Sequence, residues 1–220
     1  FFFVSMSYYT IIIPIFNEQS KLPTLLKKIK SFSKLGHEIL IIDDGSNDGS
    51  ENILYKCNYI NLITLSKNKG KGVALICGLK KALNNKIVIF DGDLELDPSD
   101  IKKLMILNRN NKIDSVFGNR YKKIELKTLW DFGNNLITSY FNFMYNSNVN
   151  DALCCAKSFF KSDIKIDTLR AKKFDIDVEI TSKLIKRKIY YKNVNIQYKR
   201  RNYCQGKKLR LMDTFRILFR

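Results

Sequence analysis

The sequence contains a single histidine, His37. That excludes a multi-histidine zinc site. Any Ser-His-Asp triad would have to run through His37, which sits in an ordinary Gly-His-Glu loop where a solvated imidazole is expected. Three prolines and ten glycines, with no low-complexity linker and no internal repeat, make the 220 residues read as one continuous domain, 1–220. No apolar run reaches the roughly 18 residues that a membrane-crossing helix needs. The opening Phe1-Phe-Phe-Val-Ser-Met6 is apolar but short and lacks the cationic flank of a signal peptide. Cysteines 57, 77, 154, 155 and 204 are odd in number and form no Cys-x-x-Cys pair, a pattern that suits reduced thiols in a cytosolic setting. Gly70 and Gly72 are not followed by the third glycine of a dinucleotide-binding loop, since position 75 is Leu75. No Gly-Lys-Ser/Thr phosphate loop occurs either, so neither a nicotinamide enzyme nor an ATPase has its motif.

Positive charge, by contrast, is abundant. Lys and Arg number 39 against 21 Asp and Glu, a formal net charge of +18. Residues 156–220 carry 19 Lys/Arg against 6 Asp/Glu, a net of +13, whereas residues 1–155 carry 20 against 15, a net of +5. The C-terminal third is therefore expected to face something anionic: phospholipid, a phosphate-bearing acceptor or nucleic acid. A nucleic-acid-binding module has charge alone in its favour, with no recognised motif beside it, so no nucleic acid is expected as a partner. Hydrophobic residues make up 45% of the chain, enough to build a sizeable core.

The first half alternates strand-like and helix-like stretches. Thr10–Pro14, Glu38–Ile42, Leu62–Leu65, Ile87–Phe90 and Ser115–Gly118 read as strands. Between them, Leu22, Leu25, Leu26, Ile29 and Phe32 fall at helical spacing, and Gly49–Cys57 and Gly70–Leu83 read as helices. A further helix is expected after Pro98, with Asp97 or Ser99 as its cap. This order predicts an α/β fold with a mostly parallel central sheet flanked by helices. In such sheets ligands bind beyond the carboxyl ends of the strands. Asn17-Glu18, Asp43-Asp44 and Asp91-Gly92-Asp93 all follow predicted strand ends and should meet on one rim. Farther on, Leu129, Phe132, Leu136, Tyr140 and Met144 mark a long amphipathic helix, and Val194, Ile196 and Tyr198 alternate as a strand. Leu211, Phe215 and Leu218 form an apolar stripe among Lys207, Lys208, Arg210, Arg216 and Arg220. Such a basic amphipathic C-terminal helix can lie in a membrane interface or pack on the domain.

The acidic strand ends carry the chemistry. Asp91 and Asp93, one residue apart where a buried strand opens into a loop, can hold a hard divalent cation together with a phosphate-bearing ligand. They can equally be a solvated acidic loop. Asp43 can accept hydrogen bonds from a nucleobase or ribose, or brace the Asp-Gly turn as Asp44 and Asp48 can. Asn17 and Glu18 can open a helix, and Lys71 supplies a cation between two glycines that let backbone approach a ligand.

Taken together, these segments resemble glycosyltransferase family 2. Ile13-Pro14-Ile15-Phe16-Asn17-Glu18 is similar to its Pro-x-Tyr-Asn-Glu opening, and Ile41-Ile42-Asp43-Asp44-Gly45-Ser46-Asn47-Asp48-Gly49-Ser50 to its second motif. Asn68-Lys69-Gly70-Lys71-Gly72 is similar to its third, and Phe90-Asp91-Gly92-Asp93-Leu94-Glu95 stands where the family has its Asp-x-Asp. Phe117-Gly118-Asn119-Arg120-Tyr121, Asp151-Ala-Leu-Cys-Cys-Ala-Lys157 and Tyr198-x-x-Arg201 with Gly206-Lys207-Lys208-Leu209 resemble segments of the polyprenyl-phosphate sugar transferases, such as dolichyl-phosphate mannose synthase. The resemblance implies a nucleotide-diphospho-sugar transferase fold of the GT-A type, with a nucleotide-sugar half over residues 10–120 and an acceptor half over 121–220. It implies metal-dependent, inverting transfer of a hexose from a GDP- or UDP-sugar to a polyprenyl (dolichyl or undecaprenyl) phosphate. Pro14, Phe16, Asn17, Glu18, Asp43, Asp44, Lys71, Asp91, Gly92 and Asp93 would bind the nucleotide sugar. Mg²⁺ or Mn²⁺ would be held by Asp93 with Asp91 and Glu95. Arg120, Arg201 and Lys207 would meet the acceptor phosphate, and Asp93, Arg120 and Asp151 would be the catalytic residues. The implied workplace is cytoplasmic, peripheral on the cytoplasmic face of a membrane.

Three departures from the family pattern stand out. Phe16 replaces the usual Tyr, Cys155 stands where the subgroup has Gly, and Glu95 replaces a frequent Gln. The rival within the family is transfer to a saccharide or lipid hydroxyl in envelope glycan synthesis, which needs a carboxylate base. Asp151 is the sole acidic residue between Asp131 and Asp163. A lipid phosphate is already an anion and needs cations instead. In that case Asp151 positions groups and abstracts no proton. Arg120 retains an ordinary salt bridge as its alternative role.

Overall fold

The computed structural model describes residues 8–120 and 129–200. Strands and helices alternate through the first half: β1 (Tyr9–Ile15), α1 (Leu22–Lys34), β2 (Glu38–Asp43), α2 (Ser50–Tyr55), β3 (Asn61–Thr64), α3 (Lys71–Lys81), β4 (Lys86–Ile89), α4 (Ile101–Leu104) and β5 (Ser115–Asn119). Then follow α5 (Leu129–Tyr145), β6 (Lys157–Phe160), α6 (Ile176–Lys186) and β7 (Tyr191–Asn195). The strands form one sheet in the order β3-β2-β1-β4-β6-β5-β7. All run parallel except β6, which is antiparallel to both β4 and β5.

β1 explains the sandwich. It is buried along its whole length and wholly apolar but for Tyr9 and Thr10, as a central strand covered on both faces must be. Its side chains alternate between the two faces. Ile11, Ile13 and Ile15 join α1 residues Leu22, Leu25 and Ile29 in one core. Ile12 joins Leu40 and Ile42 of β2, Leu75 and Leu79 of α3, and Ile176, Ile180 and Leu184 of α6 in the other. Asp97 caps the turn before α4, accepting from Ser99 N at 2.9 Å.

The second half departs from the sequence pattern in three places. The strand expected from Val194, Ile196 and Tyr198 lies earlier, at Tyr191–Asn195, because its partner β5 ends at Asn119, level with Asn195. Ile196 N still donates to Asn119 O at 2.9 Å, and Tyr198 makes an isolated bridge to Leu96. Helix α5 forms, but the stripe chosen from its periodicity faces outward: Phe132, Leu136, Tyr140 and Met144 are exposed, while Ile137 and Phe141 are buried. The helix is apolar on two sides, so spacing alone cannot say which side meets the core. β6 and α6 carry weak signals. β6 opens with a lysine and is buried on both faces, so it shows no alternation. α6 places Asp177, Thr181 and Ser182 on its buried side. The basic stretch around Leu211, Phe215 and Leu218 lies outside the described residues, as do Arg201, Lys207 and Lys208.

Candidate functional site

β1 and β2 end side by side, Ile15 level with Asp43, and their loops are knitted together. Asn17 takes a left-handed backbone (φ 51°), which an asparagine tolerates better than most side chains. Its amide donates to Ser46 Oγ at 2.8 Å, and its side-chain oxygen accepts from Asn47 N at 2.9 Å. Glu18 N donates to Ser50 Oγ, and Gln19 N to Asp48 at 2.9 Å. Burial pushes the Asp48 carboxyl upward, but the Ser50 hydroxyl and the Gln19 and Ser50 amides outweigh it and hold the group below its ordinary range. Pro14, on β1, and Phe16, just past its end, precede this turn. Glu18 is buried and pairs with Lys21.

Asp43, fully buried, uses one oxygen only. Oδ1 accepts from Ser46 N at 3.0 Å and Ser46 Oγ at 2.6 Å, while Oδ2 is buried with no partner among the described residues. A buried acceptor left unpaired costs about 1–3 kcal/mol, so an N–H or O–H donor from a ligand would be favoured there. Asp44 is spent differently. Its two oxygens accept from Lys69 N and Gly70 N, both at 2.8 Å, and so hold the loop that leads into α3. Burial pushes its carboxyl above the ordinary range, partly offset by those two amides.

Lys71, the first residue of α3, reaches back to the end of β4. Its Nζ lies 2.8 Å from Asp91 Oδ1 and 2.9 Å from Asp177 Oδ2 on α6. Burial works against the ammonium, but the Asp177 and Asp91 carboxylates outweigh it and hold its pKa well above the ordinary lysine value. For Asp91, burial raises the carboxyl, yet Lys71 and a hydrogen bond from the Cys155 thiol bring it below the ordinary range. Asp93 is half-buried; its Oδ1 accepts from Glu95 N at 2.9 Å across Leu94, which is left-handed (φ 60°). Gly92 packs beneath β1, where a Cβ would stand 2.6 Å from Ile15 Cγ2. Its role in this structure is the close approach of β4 to β1.

Among the described residues no three His, Cys, Asp or Glu side chains are gathered into a metal cage. The Asp91 and Asp93 oxygens nevertheless suit a hard cation of the Mg²⁺ or Mn²⁺ kind, which is commonly held by one or two carboxylates plus substrate phosphates.

Arg120 and Asp151 also meet. Arg120, just past β5, forks onto Asp151: Nε to Oδ2 at 2.7 Å and Nη2 to Oδ1 at 2.9 Å. Asp151 is buried, and the Arg120 guanidinium lies 5.6 Å from the Tyr198 ring centre. Both oxygens of Asp151 are therefore occupied by one guanidinium.

Sequence reasoning missed three members of this neighbourhood. Asp177 falls on the buried side of α6, where periodicity calls for an apolar residue; that misfit was the available signal. Cys155 stands out in the sequence as a departure from the subgroup's Gly, but its bond to Asp91 is long-range and leaves no local signal. Lys157 is buried, with Nζ donating to Cys154 O. The glycines beside Lys71 also have another use than ligand approach: Gly70 and Gly72 press against the backbone of Lys172 and Ala171.

His37 lies elsewhere. It is half-buried, accepts from Tyr9 N at 3.3 Å, and lines an open hollow of about 420 Å³ at the opposite end of the strands. The Glu38 carboxylate in that hollow is already occupied by Thr10, Asn61 and the Leu83 amide. The hollow thus offers less unspent bonding capacity than the rim.

Burial pushes the Cys154 thiol up to about 12 and raises Cys155 as well. Only thiolate reacts with iodoacetamide, so at pH 8 native Cys154 and Cys155 should label about a thousandfold more slowly than an ordinary thiol. Half-buried Cys57 and Cys77 should label ahead of them. Peptide mass spectrometry of native and urea-unfolded protein checks this; equal labelling of all four in the native state would contradict the packing.

The model of glycosyl transferase family 2 matches residues 10–166. An uncharacterized protein of Methanocaldococcus jannaschii is 33% identical over 205 residues, 85% of this chain and 87% of that protein. The undecaprenyl-phosphate 4-deoxy-4-formamido-L-arabinose transferase of Salmonella choleraesuis is 32% identical over 134 residues, which take in 52% of this chain and 41% of that protein. The chain thus spans about two fifths of the length of that named transferase. Among solved structures, glucosyl-3-phosphoglycerate synthase of Mycobacterium tuberculosis, crystallised with Mn²⁺, uridine diphosphate and glucosyl-3-phosphoglycerate, superposes with a TM-score of 0.70 at 14% identity, covering 97% of this chain and 78% of that one. At that identity the likeness shows the fold alone, which is the GT-A fold that the family resemblance implies.

Proposed function

The chain belongs to glycosyl transferase family 2, and from that premise we propose that it moves a hexose from a UDP- or GDP-sugar to a polyprenyl phosphate, by metal-dependent, inverting transfer. The observation that carries the acceptor choice is the Arg120–Asp151 fork. Asp151 is the carboxylate best placed by sequence to serve as a base, and both its oxygens are committed to Arg120. An acceptor that is already anionic needs no base. Relatedness to the undecaprenyl-phosphate transferases supports the same choice.

In this reading Asp43 Oδ2 receives a donor from the base or ribose, and Asn17, Glu18, Phe16 and Pro14 shape the same wall. Asp44 keeps the Lys69–Gly70 loop in place, and Lys71 stands at the diphosphate. Asp93, with Asp91 and Glu95, would hold Mg²⁺ or Mn²⁺, which when bound supplies positive charge against the departing diphosphate. Arg120, together with Arg201 and Lys207, receives the acceptor phosphate. A phosphate oxygen forms the bond to the anomeric carbon as the bond from that carbon to the nucleoside diphosphate breaks. The electron pair leaves with the diphosphate, no proton moves, and the anomeric configuration inverts. A lipid acceptor places the reaction at a membrane surface, on its cytoplasmic face. Among the described residues no helix is long and apolar enough to cross a membrane.

The test has two arms. A panel of UDP- and GDP-sugars is screened for thermal stabilisation with and without Mn²⁺; one nucleotide series should raise the melting temperature, and more so with Mn²⁺. The best donor, radiolabelled in its sugar, is then offered undecaprenyl and dolichyl phosphate. Label in an acid-labile lipid supports the proposal. Label moved only to saccharide hydroxyls would replace it with the rival transfer.

A further inference from the structure

The Lys71 ammonium is shared between carboxylates from opposite halves of the chain. Asp91 comes from the end of β4, and Asp177 from the first turn of α6, 106 residues beyond Lys71. Nothing local puts Asp177 there; two glycines do. A Cβ on Gly72 would stand 2.2 Å from Ala171 O, and one on Gly70 2.4 Å from Lys172 O. Gly72 N donates to Lys172 O at 3.0 Å. Any side chain at either position would push α3 away from the segment leading into α6. Glu179 secures that segment as well, Oε2 accepting from Arg170 N at 3.0 Å and Ala171 N at 2.7 Å.

Only one oxygen of Asp177 is used. Oδ1 is buried with no partner among the described residues. Packing alone does not favour a half-satisfied buried carboxylate, and an apolar residue would fill that side of α6 at less cost.

We propose that Asp177 is a positioning residue for the donor site: it holds Lys71 independently of Asp91, so that Asp91 can turn to a divalent cation while the ammonium stays at the start of α3. This rests on the metal-dependent donor reading given above. Without Asp177, the ammonium would fall back on Asp91 and compete with the cation for it. With Asp177, Lys71 keeps a carboxylate after Asp91 has turned. It then remains at a helix N-terminus, where phosphate oxygens are also favoured.

Calorimetric binding of uridine or guanosine diphosphate, whichever the protein prefers, is measured across a Mn²⁺ series. In Asp177→Asn the Mn²⁺ concentration for half-maximal binding should rise about tenfold, while nucleotide affinity at saturating Mn²⁺ stays within threefold, since the lost interaction bears on competition for Asp91. An unchanged Mn²⁺ requirement in the folded variant, or equal loss at every Mn²⁺ concentration, would overturn the positioning role and leave the donor reading intact. A parent protein that binds neither nucleotide at any Mn²⁺ concentration would overturn both. A second measurement needs no variant: side-chain ammonium NMR of ¹⁵N-lysine-labelled parent protein, with Mg²⁺ in place of Mn²⁺. The Lys71 signal should shift on adding Mg²⁺ and nucleotide yet stay protected from solvent exchange. Its loss into exchange would mean that Lys71 had left Asp177, and the inference would fall.

Discussion

Replacing Asp93 with alanine should lower kcat/KM for sugar transfer by about a thousandfold, at the upper end of what removing one charge-stabilising group costs. It should also abolish the Mn²⁺ dependence of nucleotide-sugar binding. The size follows from the loss of one of the two carboxylates proposed to hold the cation. Asp91 is paired with Lys71 and bonded by the Cys155 thiol. Asp93 Oδ1 braces the turn to Glu95 N. Asp93→Asn separates the turn from the charge. An asparagine oxygen still accepts from Glu95 N, so the turn survives and stability should change by under about 1 kcal/mol. The carboxylate is gone, however, and activity should fall nearly as far as in Asp93→Ala. Melting curves with and without Mn²⁺ and steady-state kinetics read both effects. Stabilisation by nucleotide sugar that is unchanged in Asp93→Ala would remove Asp93 from the metal site.

The rim where β1, β2 and β4 end could be read from the sequence because its signals are local. β1, β2 and β4 are short runs of Ile and Val that stop abruptly at Asn17, Asp43 and Asp91, and parallel pairing brings those stops level. Even the bracing of loop by loop was half visible, in the Asp and Ser residues that favour such turns. What could not be read is long-range. Whether Gly70 and Gly72 admit a ligand or another backbone depends on where Ala171–Lys172 lies, a hundred residues away. Asp177 and Cys155 reach Lys71 and Asp91 only through β6 and α6, whose patterns are blurred by burial on both sides. α5 shows the converse limit. Its periodicity is plain, but an apolar surplus on two faces leaves the direction to be decided by packing. Periodicity identifies an element; the tertiary partner selects its buried face.

Asp151→Ala should cost the protein about 3–5 kcal/mol, because it takes a buried carboxylate from the guanidinium it holds in a fork. At roughly 2–4 °C per kcal/mol for a chain of this size, the melting temperature should fall by about 6–20 °C. Asp151→Asn is the informative partner. Its side-chain oxygen can still accept from Arg120, so the fork is weakened without being emptied, and the variant should remain folded. If Asp151 positions Arg120 for an anionic acceptor, kcat should fall by no more than about tenfold, and the pH–rate profile should keep its shape. If Asp151 takes a proton from a hydroxyl acceptor, kcat should fall by about 10²–10⁴-fold and the acidic limb of the profile should disappear. The geometry favours the first outcome. A carboxylate whose two oxygens accept from Nε and Nη2 at 2.7 and 2.9 Å would have to break at least one of those bonds to receive a proton. In breaking it, the carboxylate would release Arg120, the cation that the acceptor phosphate is expected to need.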